Sequence, residues 1–122
     1  MAGTITTDGP EKKECIIPYE LSPDMDIKVK NAMHENVSTA ASLFKVLADP
    51  VRLRILKALE VCDLCVCVLV EITDYKYPAL SYHLKLLKDA GLVESKREGS
   101  FQTYYLTEFG YRTAESFGSL IR

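Results

Sequence analysis

Tyr77-Pro78-Ala79-Leu80-Ser81-Tyr82-His83-Leu84-Lys85-Leu86-Leu87-Lys88-Asp89-Ala90-Gly91 carries the pattern that decides the fold. Leu80, Leu84 and Leu87, continued by Leu92, recur at helical spacing. Pro78 suits a first helical turn, where a missing N–H costs nothing, and Gly91 suits the left-handed residue that ends a helix. Just upstream, residues 65–73 read Cys-Val-Cys-Val-Leu-Val-Glu-Ile-Thr, a short apolar segment whose β-branched residues fit a strand as well as a helix. Its context favours a helix, because Asp74-Tyr75-Lys76 then makes a turn into the leucine-striped segment. Two short helices joined by a tight turn predict a helix-turn-helix.

Downstream, residues 92–97 and 101–106 are strand-like runs flanking Glu98-Gly99-Ser100, which predicts a β-hairpin. A helix-turn-helix followed by a hairpin is a winged helix. Upstream, a helix is expected from about Asp24 to His34, with Ile27, Ala32 and Met33 on its apolar side. Another should start at a capping Ser38 and break at Asp49-Pro50, and a third should run from Pro50 to about Glu60 with Leu53, Ile55, Leu56 and Leu59 buried. Thr107 can cap a last helix over residues 108–121, whose Phe109, Ala114, Phe117, Leu120 and Ile121 suit a subunit interface. The fold class is α+β, mostly helical: a winged helix-turn-helix with a C-terminal dimerisation helix.

The glycines and prolines of residues 1–23, without a sustained period, mark that stretch as a mobile N-terminal arm carrying Cys15, and residues 24–122 as one winged-helix DNA-binding and dimerisation domain. A chain of 122 residues, 48% hydrophobic, can bury a small core and gains stability from pairing with a second copy. No apolar run reaches the roughly 20 residues of a membrane span, and the polar, acidic start lacks the features of a signal peptide. A cytoplasmic location without membrane attachment is expected. The net charge of −2 is unevenly placed: six acidic side chains and two lysines fall in residues 1–26, whereas residues 76–97 hold five basic side chains against Asp89 and Glu94. The positive charge is therefore local to the helix-turn-helix and wing. Tyr77, Ser81, Tyr82, Lys85 and Lys88 form a polar face on that helix, with Ser81, Tyr82 and His83 suited to base edges and Lys85, Lys88, Lys96 and Arg97 to phosphates.

Three of the four cysteines crowd into Cys62-Asp63-Leu64-Cys65-Val66-Cys67, directly before the helix-turn-helix. In a reducing compartment such a cluster suggests metal ligands or redox-active thiols rather than structural disulfides. Residues two apart in mid-helix diverge by about 200°, so Cys65 and Cys67 reach one ion only if the helix starts there and the backbone is still extended. Thiolates at this spacing select soft ions such as Cd(II), Pb(II), As(III), Zn(II) or Cu(I). Cys62 with Cys65 forms a Cys-x-x-Cys, shared by zinc sites and redox dithiols, and an inert Cys62 is an equal alternative. His34, near the arm, is the one histidine placed to approach the thiolates, though a lone histidine is more often a surface residue. Nothing around the cluster positions a base or an oxyanion site, so an enzyme is not expected, nor an organic cofactor.

These residues resemble the ArsR/SmtB metalloregulatory repressors. The resemblance rests on Val46-Leu47-Ala48-Asp49-Pro50-Val51-Arg52-Leu53-Arg54-Ile55-Leu56, on Leu64-Cys65-Val66-Cys67, on Leu80-Ser81-Tyr82-His83-Leu84-Lys85-Leu86-Leu87 with Gly91-Leu92-Val93, and on Tyr104-Tyr105-Leu106. It spans about residues 38–107. It implies a homodimer whose helix at 77–90 lies in the major groove of double-stranded, near-palindromic operator DNA, and whose grip weakens when a metal binds. It also implies that Cys65 and Cys67 are the sensing pair, completed by an arm cysteine of the partner subunit, for which Cys15 lies in the right region. The chain departs from the family pattern at Val68, where an acidic residue is frequent, at the Asp74-Tyr75-Lys76 turn, and at Ser100 in the wing tip. A second family site on the last helix is missing its histidine, which disfavours a zinc-only sensor. The function expected is a repressor that releases DNA on binding a soft ion such as Cd(II), Pb(II), As(III) or Zn(II). The alternative is a redox-responsive regulator of the same fold, with a disulfide joining Cys62 to Cys65 or Cys15 to Cys67.

Overall fold

A computed structural model describes residues 20–122. Helix α1, Pro23–Met33, belongs to a unit ending at Asn36. It begins one residue earlier than the sequence suggests because Ser22 is the cap, its hydroxyl accepting from the Met25 N–H at 3.2 Å. Asp24 and Asp26 then sit in the first turn, where the helix dipole favours them. None of its residues is buried.

The second unit, Val37–Arg122, runs α2 (Ser38–Leu47), α3 (Pro50–Val61), β1 (Leu64–Cys65), α4 (Val66–Ile72), α5 (Tyr77–Asp89), β2 (Val93–Glu98), β3 (Phe101–Leu106) and α6 (Glu108–Gly118). Val37, not Ser38, occupies the cap position of α2, so Ser38 is its first helical residue. Asp49 opens α3 as expected of an Asp-Pro break: its carboxylate accepts from the N–H groups of Val51 at 2.8 Å and Arg52 at 3.3 Å. At the end of α5 the Leu92 N–H reaches the Leu87 carbonyl (3.0 Å) and the Gly91 N–H that of Lys88 (2.9 Å), with Gly91 at φ 79°. This double bond is the Schellman closure that only a left-handed residue permits.

The hairpin turns at Gly99-Ser100, with Gly99 at φ 67°, and pairs Glu98 with Phe101 through to Val93 with Leu106. The sheet has a third strand not anticipated from the sequence. Leu64 and Cys65 pair antiparallel with Tyr104 and Thr103, giving the order β1-β3-β2. The apolar segment thus divides between a two-residue strand and the short helix α4.

Leu56, Leu59, Leu69, Leu80, Leu84, Leu87, Leu92 and Val93 are the largest fully buried side chains, and the core contains no buried polar or charged residue among those described. The core is therefore built at the junction of α3, α4, α5 and the wing base, and truncating one such leucine to alanine costs about 2–5 kcal/mol. Helix α6 is fastened to this junction by Thr107, whose hydroxyl donates to Gly91 O (2.7 Å) and accepts from the Gly110 N–H (3.0 Å). A Cβ at Gly110 would overlap the Leu92 carbonyl oxygen, so glycine permits the close approach there. The helix stops at Gly118, short of the expected Ile121, and Leu120 and Ile121 are exposed.

Partial burial works to raise the Asp49 carboxyl, but the Arg52 and Val51 N–H bonds and the charge of Arg52 outweigh it and hold it below the usual carboxylate range. A depressed folded-state value means that the cap's contribution is complete above the unfolded-state value and is lost as pH falls through the folded one. Asp49→Ala is expected to destabilise the protein by about 1 kcal/mol at neutral pH, and Asp49→Asn by less, since asparagine also caps. In urea titrations the gap between the parent and Asp49→Ala should narrow on acidification; a gap independent of pH would contradict this account.

Candidate metal centre and nucleic-acid interface

The thiol cluster lies where α3 has ended and α4 has barely begun. Cys62 is the residue after α3, in extended conformation (φ −166°, ψ 164°), and its side chain is exposed with a free thiol. Cys65 ends strand β1 and caps α4 at φ −77°, ψ 146°, so the backbone is still extended at this residue and turns helical at Val66. That is the geometry under which two cysteines separated by one residue face the same way. Cys67 turns its N–H onto the Cys65 sulfur at 3.3 Å, and the two sulfurs face each other in contact across the cap turn, with Cα atoms 5.3 Å apart. Of the two pairings expected, Cys62 with Cys65 is not the one brought into contact, since Cys65 faces Cys67, and Cys15 with Cys67 falls outside the described residues.

The convergence of Cys65 and Cys67 suits a soft ion once the pair is reduced, since two thiolates would then point to a common centre. They supply half a ligand set. Among the described residues no three His, Cys, Asp or Glu side chains gather around one point, and Cys62 does not join Cys65 and Cys67 in such a group. Cys15 lies outside the described residues. The His34 ring nitrogen Nδ1 is 2.7 Å from the Lys30 carbonyl, within its own helix.

Helix α5 has one buried and one exposed face. Leu80, Leu84 and Leu87 enter the core, while Tyr77, Ser81, Tyr82, Lys85 and Lys88 are exposed, as the periodicity required. Lys96 and Arg97 are exposed on β2. His83 is different. It is half-buried, and its Nδ1 is 3.1 Å from Nη1 of Arg52. A guanidinium offers only donors, so His83 accepts and keeps its proton on Nε2. The exposed face thus holds Ser81 and Tyr82 but not the His83 Nδ1 edge, because position 83 borders the leucine stripe.

Several basic side chains hold intramolecular partners. Lys85 pairs with Asp89 at 3.0 Å, Lys96 lies 3.8 Å from Glu98, and Lys88 donates to Ser95 Oγ at 3.0 Å. Exposed pairs of this kind contribute only about 0–1 kcal/mol, so exchange for a phosphate is easy.

Residues not singled out in the sequence organise the interface. Arg52 donates through Nε to the Val46 carbonyl (2.7 Å), lies 3.7 Å from Asp49, and reaches His83, tying the α2–α3 corner to α5. Its signal was its place three residues into a proline-started helix, beside a capping aspartate. Thr103 pairs with Cys65 on one side and Lys96 on the other, and Tyr104 with Leu64 and Ser95. Burial, and then the neighbouring Tyr77 phenol, raise the Tyr104 hydroxyl above its ordinary value. The middle strand therefore touches the thiol segment, the wing and the first residue of α5.

A shallow apolar cleft of about 500 Å³ separates α2 from α6, lined by Leu43, Phe44, Leu47, Phe109, Phe117 and Leu120 among others. Phe44 and Leu120 are largely exposed. No helix among the described residues is long and apolar enough to cross a membrane.

Comparison with known proteins agrees with this architecture. Residues 49–95, from the cap of α3 into β2, match the family described as bacterial regulatory protein, arsR family. The arsenical resistance operon repressor of Staphylococcus xylosus is 41% identical over 66 residues, covering 54% of this chain and 64% of that repressor. The cadmium resistance transcriptional regulatory protein CadC homolog of Staphylococcus aureus is 30% identical over 98 residues, covering 80% of this chain and 81% of that protein. Among solved structures, the homodimeric winged helix-turn-helix DNA-binding domain of Mb0332 from Mycobacterium bovis superposes with a TM-score of 0.63 at 27% identity, covering 81% of this chain and 85% of that one. Fold, exposed basic helix and relatives converge: the chain belongs to the arsR family, and is a winged helix-turn-helix DNA-binding transcriptional regulator and not an enzyme.

Proposed function

We propose that this protein is a homodimeric repressor that holds operator DNA when reduced and metal-free, and releases it when Cys65 and Cys67 capture a soft metal or metalloid ion. The observation that carries the reading is the convergence of these two sulfurs at the cap of α4, on a strand hydrogen-bonded to the wing. The arsenical and cadmium resistance regulators among its relatives point to the same class of effector. Cys15 from the arm of the partner subunit is the proposed third ligand, with Cys62 the competing donor. Bound there, the ion would cross-link thiolates that are otherwise independent. Cd(II), Pb(II), As(III) and Zn(II) all suit such a donor set.

On the DNA side, Tyr77, Ser81 and Tyr82 are assigned to base edges in the major groove, and Lys85, Lys88, Lys96 and Arg97 to phosphates. His83 is assigned to holding α5 in place through Arg52. The apolar cleft between α2 and α6 is the proposed meeting surface of two copies, which would set two α5 helices about 34 Å apart for a near-palindromic site.

Reduced protein titrated with Cd(II), As(III) and Zn(II), with operator binding followed by fluorescence anisotropy, should lose DNA affinity by roughly 5- to 150-fold with at least one ion. The Cys65→Ser, Cys67→Ser double variant should keep its DNA affinity, since serine also caps a helix, and lose the response. A double variant that still releases DNA on adding the ion would sink the sensing site.

Lys85→Ala and Lys88→Ala should each weaken binding to all sequences alike and lower the salt dependence by about one released counterion. Tyr82→Ala should instead cost about 1–3 kcal/mol and relax preference at particular base pairs. Equal losses on specific and random duplexes for Tyr82→Ala would remove it from base recognition.

A further inference from the structure

We propose that Cys65 and Cys67 also act as a two-electron thiol switch whose oxidation makes the protein blind to metal while leaving it on DNA. The proposal rests on the metal-sensing reading of the same pair. The two Cα atoms, 5.3 Å apart, lie within the span a disulfide bridges, and the sulfurs are in contact across the cap turn. Cys67 is exposed, so a small oxidant can reach it, whereas Cys65 is half-buried beneath it.

With a peroxide as oxidant the balance is simple. The Cys67 thiolate attacks one peroxide oxygen, the O–O bond breaks, and a sulfenic acid forms as the other oxygen leaves as water. The Cys65 thiolate then attacks the Cys67 sulfur, the S–O bond breaks, and a second water departs. Two thiols lose two electrons and two protons, and one hydrogen peroxide becomes two waters. Both sulfurs are then spent as thiolate donors, which removes the pair proposed to hold the ion.

What the bond spans decides its effect on DNA. It closes a ring over residues 65–67, joining the last residue of β1 to the first turn of the adjoining α4, and reaches nothing more distant in the chain. With the two sulfurs already at bridging approach, β1 pairs with Tyr104 and Thr103, Val66 and Leu69 enter the core, and α5 presents its exposed face, so closing the ring displaces none of them. Cys62, left free at the end of α3, is not drawn in.

The test uses the full chain and a duplex selected from random DNA by the reduced protein. Peroxide-treated protein is alkylated and digested with trypsin, and residues 58–76, which contain three cysteines, are sequenced by tandem mass spectrometry. Cys62 should be alkylated and Cys65 joined to Cys67. Affinity for the duplex should stay within about threefold of the reduced protein's, Cd(II) should no longer release it, and dithiothreitol should restore release. Consumption of Cys62, Cd(II)-driven release from oxidised protein, or a loss of about tenfold or more in affinity on oxidation alone would each overturn the proposal. Reduced protein indifferent to Cd(II), As(III) and Zn(II) would instead overturn the metal reading and this gating with it, so the reduced and oxidised arms separate the two failures.

Discussion

Two backbone residues, Leu64 and Cys65, are held extended by pairing with Tyr104 and Thr103, and the arrangement of the site depends on that constraint. Without it the apolar run could continue α4 backward, and sulfurs two residues apart would diverge by about 200° around the helix. Because the strand persists through Cys65, the helix begins at Val66 and both sulfurs fall on one side. The pairing partner is the second strand of the wing, so the element that aligns the thiols is also one that a DNA-binding protein of this fold sets against its target.

The recognition helix is held by two kinds of contact. Its leucines bury against α3 and α4 in a core with no buried polar or charged residue among those described, which supplies stability but little orientation. Orientation comes from polar fastenings at the rim: Arg52 on His83, Lys88 and Gln102 meeting at Ser95, and Thr107 beneath Gly91. Hydrogen bonds are directional, so these fix the helix axis against the wing and against the α2–α3 corner. Asp49 contributes indirectly, since its cap places Arg52 where it can reach both Val46 and His83.

Most of the fold was legible because it is encoded locally. Leu80, Leu84 and Leu87 announce a buried face, Asp49-Pro50 a helix start, Gly91 and Gly99 the two left-handed residues, and Phe101 to Leu106 a strand with the boundaries found. The strand at Leu64–Cys65 was not legible, because a two-residue strand has no period of its own and its partner lies far along the chain. His83 was half legible: the spacing that makes Leu80 and Leu87 core residues also puts position 83 at the border of that face, but nothing local names Arg52 as its partner. The cysteine pair was legible as a geometric condition, a backbone still extended where the helix starts, and Cys65 is extended with α4 beginning at Val66. The end of α6 was set too late because Leu120 and Ile121 are apolar yet exposed on this chain alone.

The register of the small sheet gives a physical route from thiols to DNA. Thr103 lies between Cys65 and Lys96, so a basic residue of the wing is one strand removed from Cys65. Tyr104 lies between Leu64 and Ser95, and its phenol neighbours Tyr77, where the recognition helix begins. A pull on β1 thus reaches the wing and the helix through the same two residues, whereas a bond confined to the cap turn exerts no such pull. The leverage of any event at the cysteines is set by how much chain it connects to that strand. In the proposed three-thiolate site an ion held by Cys65, Cys67 and a third cysteine would join distant segments at a loop-closure cost that grows only slowly with length. Coupling of about 1–3 kcal/mol suffices for a switch, and displacing one rim hydrogen bond is of that order. Under the proposed scheme the same two thiols give opposite results, release or silence, according to whether what they hold lies inside their own turn or beyond it.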